Sequence, residues 1–212
     1  MPLVLCYHAV SKAWDHRLSM TPELLLRQVR TLSQVRRVRV TFDDAYASAA
    51  TVFADLRLMG APVTVFVCTA FARAGSPIQI AELAGDDPEE LSTMDWDELR
   101  GHCENGIEVG SHGVSHAHLT ELADDELRRE LVDSKAEIEA ELGRPCKELA
   151  YPYGEHDRRV RAAVEAAGYE RGFALWDCVR GDPYAERRLD LYSRHSPVRA
   201  LLMTTPLHRF AA

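Results

Sequence analysis

Val38-Arg39-Val40-Thr41-Phe42 is a short apolar, β-branched run that ends abruptly on Asp43-Asp44. Such a run reads as a strand buried inside a sheet, with two carboxylates at its C-terminal end. Farther along, Ile107-Glu108-Val109-Gly110 leads in the same way into Ser111-His112-Gly113-Val114-Ser115-His116. If the two strands are parallel neighbours, one rim of the sheet collects two carboxylates and two imidazoles. One Asp with two His forms a three-ligand set with an open position, as catalytic divalent metals require, and the other Asp stays free to move a proton.

Outward from these runs, strands alternate with helices. Leu3 to Tyr7 and Val63 to Val67 read as further buried strands, and Lys147 to Tyr151, Gly172 to Leu175 and Leu189 to Tyr192 complete the set. Thr21-Pro22-Glu23 opens a helix whose apolar stripe is Leu24, Leu25, Val29 and Leu32. Helices are expected at about 46–59, 94–104 (opened by a capping box in Ser92-Thr93-Met94-Asp95), 124–142 and 157–167, and residues 70–92 read as an irregular insertion or lid. The alternation predicts a parallel α/β architecture, and at 212 residues a distorted (β/α)7-type barrel in one domain, 1–212. In such a barrel, catalytic groups gather at the strand C-terminal ends.

Composition narrows the function. Hydrophobic residues make up 46% and charged residues 27%, ordinary for a globular chain, and the formal charge of −8 argues against nucleic acid as a partner. The five Cys are widely spaced with no CxxC pair, so reduced, buried thiols are expected. No run approaches a membrane span or a signal-peptide core, which makes a cytoplasmic enzyme the expectation.

Thr41-Phe42-Asp43-Asp44, Ser111-His112 with His116, and Tyr151-Pro152-Tyr153-Gly154 occur in the order and contexts of the NodB-type polysaccharide deacetylases, carbohydrate esterase family 4. The chain resembles that family from Cys6-Tyr7-His8-Ala9-Val10 to about Arg194. The resemblance implies Asp43 as general base, Asp44, His112 and His116 as metal ligands, and the Tyr153 backbone N–H as oxyanion donor. It implies zinc, with cobalt, nickel or manganese as alternatives. The family's Arg two residues before the motif Pro is replaced here by Ala150, and Arg194 is the expected substitute that would pair with Asp43. The family's general-acid His is expected at His208 in Pro206-Leu207-His208, with His195 as the rival. His8, at the end of the first strand, is expected at the same rim, as a substrate contact or a structural hydrogen bond. The implied reaction is hydrolysis of an N-acetyl (or O-acetyl) group on an amino sugar or sugar conjugate. Hydrolysis of another non-peptide C–N amide, or an inactive sugar-binding module, are the alternatives; oligomeric state is open.

Overall fold

The computed structural model describes residues 2–205. Its central feature is a parallel sheet rolled into a barrel. Five core strands are β1 (Leu3–Tyr7), β4 (Val38–Phe42), β5 (Val63–Val67), β6 (Glu108–Ser111) and β7 (Glu148–Ala150). They are followed by β8 (Arg171–Ala174), β9 (Glu186–Arg187) and β10 (Leu189–Asp190), in the order β10-β1-β4-β5-β6-β7-β8-β9. A small outlying ladder pairs β2 (Ala9–Val10) with β3 (Ser19–Met20). β9 and β10 are two halves of one extended segment: the first half pairs with β8 and the second with β1. The break between them falls on Arg188, so seven chain segments enclose the barrel, as the alternation predicts.

Helices α1 (Pro22–Ser33), α2 (Phe53–Leu58), α3 (Thr69–Ala74), α4 (Trp96–Glu104), α5 (Asp124–Leu142), α6 (Arg158–Ala166) and α7 (Pro197–Met203) surround the strands. Alternation along each strand divides its side chains between two environments. Leu5, Tyr7, Val40, Phe42, Val65, Val67 and Leu149 join the main core with the helices, whereas Val4, Phe66, Ala150 and Phe173 form a separate cluster. That second cluster plugs the barrel. Gly110 is required there, since a Cβ at that position would stand 2.5 Å from the Phe66 ring. Below the plug, Arg39 bonds Thr64 and pairs with Glu148. Above it, Arg188 bonds Thr41 at 3.1 Å and lies over the Phe66 ring, carrying charge toward the rim at the strand C-terminal ends.

Local differences from the sequence reading have local causes. The helix expected at 46–59 begins as a 3-10 segment over Ala47–Val52 and becomes α-helical only at Phe53. The capping box belongs to Asp95 and Glu98 rather than to Ser92, because the Asp95 carboxylate accepts the Glu98 N–H while Glu98 reaches back to the Asp95 N–H. The insertion carries α3 and then folds over its own small core, in which Ile78, Leu83 and Leu91 pack with Trp14 and Tyr46.

Candidate active site

Asp43 and Asp44 follow β4 directly, and His112 and His116 follow β6, so both pairs emerge on the same rim. The turn after β4 bends sharply: Asp44 and Ala45 hold φ of +65° and +53°, the left-handed region that non-glycine residues rarely occupy. His116 (+62°) and Tyr153 (+59°) share this conformation. Three site residues thus sit in costly backbone geometry that the surrounding packing enforces.

Asp44 Oδ1 lies 3.2 Å from His116 Nε2 and 3.6 Å from His112 Nε2. The three groups are buried and can offer ligand atoms all within 4.8 Å of one another. The donor set fits a divalent cation on three counts. Asp44 Oδ1 is buried with no hydrogen-bond donor. Burial pushes the imidazoles down, His112 to about 3 and His116 to about 4, leaving both in the neutral form that ligates metals. Burial also raises Asp44 to about 7 against the opposing pull of His8 and Arg188, so the protein's own cations do not offset the cost of burying its charge. The Ala150 carbonyl, 2.7 Å from His112 Nδ1, fixes that ring so that Nε2 faces Asp44. The raised Asp44 sets a pH dependence. Below about 7 a proton competes with the cation, so zinc affinity should fall by up to about tenfold per unit between pH 7 and 5 and level off above pH 8. Titration calorimetry in buffers of different ionisation heat measures both the affinity and the released proton.

The histidine loop is held by a residue with no sequence signal of its own, Glu130 on α5. Its carboxylate accepts the N–H groups of Val114 (2.7 Å) and Ser115 (3.1 Å) and the Ser115 hydroxyl. Gly113, at φ +81°, leaves room for it, since a Cβ there would stand 2.9 Å from Glu130 Oε2. Glu130→Ala should weaken metal binding by about 10- to 100-fold while the far-ultraviolet circular dichroism stays native; equal metal affinity would show that the loop holds itself.

Asp43 accepts two hydrogen bonds from the Arg188 guanidinium, at 2.5 and 2.7 Å, and its own N–H donates to the Tyr7 carbonyl. Both side chains are almost wholly buried. Burial alone would raise the Asp43 carboxyl, but Arg188, aided by His112, overrides it and holds Asp43 well below the usual carboxylate range. The expectation that Arg194 pairs with Asp43 is corrected: the Arg194 guanidinium lies 4.4 Å from the Tyr192 ring centre. β10 ends at Asp190, so Arg194 sits past the rim, whereas Arg188 faces the barrel interior. His208 lies outside the described residues. His195 is buried, with Nδ1 accepting the Tyr192 N–H.

A cavity of about 280 Å³ joins these groups, lined by Asp43, Asp44, His112, His116, Tyr153 and His8, which follows β1, the neighbour of β4. Half-buried His8 can place a ring nitrogen within 4.8 Å of an Asp43 oxygen. Tyr153 turns its ring edge-on to His116 and stacks flat on His118, at 3.7 Å between centroids, and its hydroxyl donates to Glu82 of the insertion. Trp176, 59% exposed, stands at the mouth.

A family model described as polysaccharide deacetylase matches residues 33–172, more than half the chain, and spans all three motifs. The chain belongs to the polysaccharide deacetylase family. Solved deacetylase structures share the barrel. Streptococcus pyogenes deacetylase PplD, in complex with acetate, superposes with TM-score 0.77 at 18% identity, covering 97% of this chain and all of that one. IcaB from Ammonifex degensii gives 0.76 at 20% identity over 96% and 97% of the two chains. A de-N-acetylase from Aggregatibacter actinomycetemcomitans gives 0.74 at 18% identity over 94% and 98%. No curated protein sequence matches. At such identities these likenesses show the shared fold, and the residue roles in this deacetylase-family chain rest on its own geometry.

Proposed function

We propose that this chain is a divalent-metal-dependent hydrolase that removes N-acetyl groups from an amino-sugar-containing substrate. One observation carries the reading: a carboxylate clamped by arginine (Asp43 with Arg188) shares a cavity with a buried Asp44, His112 and His116 set. A divalent cation held by Asp44, His112 and His116, with zinc the first expectation, would acidify a water and polarise the acyl oxygen.

The chain's own groups divide the remaining work. Asp43, kept ionised by Arg188, takes the proton from the attacking water. The same pairing keeps its proton affinity low, so the proton moves on easily, and the neighbouring His8 delivers it to the leaving amine. The Tyr153 N–H donates to the developing oxyanion, on a turn tied by Gly154 N–H to the Tyr151 carbonyl. The exposed Trp176 ring offers an apolar wall for a sugar face beside a cavity near the lower end of small-molecule pockets, consistent with one acylated sugar unit at a time.

Acetate release from N-acetylglucosamine oligosaccharides, with zinc, cobalt, nickel or manganese supplied in turn, tests the activity. Release by the metal-loaded protein and none after chelation supports the reading, and no release with any of the four sinks it. His8→Ala tests the proton delivery: amide hydrolysis should fall by about a hundredfold or more, while an aryl acetate, whose phenolate leaves unprotonated, is hydrolysed nearly as before.

A further inference from the structure

The strand N-terminal face, opposite the cavity, gathers positive charge on an otherwise acidic chain. Two adjoining depressions share Pro2: one is lined by Arg36, Arg37, Met59, Gly60 and Pro62, the other by Val179, Arg180, Asp182, Glu186 and Arg187. Arg36, Arg37, Arg180 and Arg187 are exposed, and none forms an ion pair with a described residue. The acids that line the depressions are already engaged, Asp182 with Arg161 at 3.0 Å and Glu186 with Arg171 at 3.8 Å. With a formal charge of −8 overall, four uncompensated guanidinium groups on one face give the molecule a strong electrical polarity. Arg57 adds a fifth exposed cation beside them.

Aliphatic side chains project among these cations. Leu58, at the end of α2, is 87% exposed, and Val35, in the loop after α1, is 57% exposed; Val179 stands beside Arg180. They stand singly on separate turns, each next to an arginine: Val35 by Arg36, Leu58 by Arg57, Val179 by Arg180. Aromatic rings on which bases could stack are missing from the residues lining both depressions. No helix among the described residues is long and apolar enough to cross a bilayer.

We propose that this face docks on an anionic phospholipid surface, with the arginines on the headgroup phosphates and Leu58, Val35 and Val179 dipping into the interface. Docked so, the barrel turns its catalytic mouth away from the bilayer, and substrate arrives from the aqueous side. The docking does not depend on the hydrolase reading, and either can fail without the other.

Co-sedimentation of the full chain with vesicles of phosphatidylcholine, with or without about 30% phosphatidylglycerol, tests it. Binding is expected only with the anionic lipid and should fall steeply as salt rises. The combined R36E, R37E and R180E variant should lose at least about tenfold of that binding with its melting temperature and its turnover of a soluble acetate ester unchanged. Leu58→Ser should weaken binding while leaving the salt dependence intact. Wild-type protein that stays in the supernatant with anionic vesicles at low salt overturns the proposal. So does a charge-reversed variant that binds as well, or retention by soluble polyphosphate without retention by vesicles.

Discussion

Arg188→Ala is expected to reduce amide turnover by about a thousandfold and to lower the melting temperature by about 10 °C. The two effects share one cause. Removing the guanidinium leaves Asp43 buried beside Cys6 with its charge unmatched, and breaking a buried pair from one side costs about 3–5 kcal/mol. The loss also has a pH signature. Asp43 in the native chain has its carboxyl below the unfolded value, so the pair contributes stability above about pH 4 that disappears as pH falls through the acid range. In Arg188→Ala the depression is gone, and that acid-side dependence should flatten or reverse. Arg194→Ala, by contrast, should leave turnover within about twofold of wild type, because Arg194 touches Tyr192 and not Asp43. Steady-state kinetics and a melting curve on the two variants decide the matter; equal losses would return the orienting role to Arg194.

Asp43→Asn is the second large expectation. The amide keeps the volume and can still accept a hydrogen bond from Arg188, so the fold and the Asp44, His112 and His116 set should persist. What disappears is the proton acceptor, which general base catalysis values at about 100- to 10,000-fold in turnover. Bound metal measured on the variant should match wild type while acetate release collapses. Asp44→Asn should do the reverse in order, losing metal first and activity with it. If Asp43→Asn strips the metal instead, Asp43 is a ligand and the division of labour between the two carboxylates is wrong.

The sequence carried the barrel because its strands are nearly continuous apolar runs, and it carried both halves of the metal set because each closes such a run. Asp43, Asp44, His112 and His116 could be placed on one rim from that fact alone. Arg188 was hidden by a boundary. Reading the last strand from Leu189 leaves Arg188 outside it, yet the alternation that turns Leu189 toward the helices turns Arg188 into the barrel. Glu130 looks like any other charged residue on a long solvated helix, and only the loop it grips reveals its use. The insertion was recognisable as irregular, but its small core around Trp14 and the reach of Glu82 to Tyr153 depend on contacts between distant segments that no local pattern encodes.

The proposed chemistry requires that Asp44, His112 and His116 hold a cation. Elemental analysis of protein dialysed against zinc and then against metal-free buffer, wild type beside Asp44→Ala, answers this directly. About one zinc per wild-type chain and almost none in the variant is the predicted outcome. Equal zinc in both, or none in either, would contradict it.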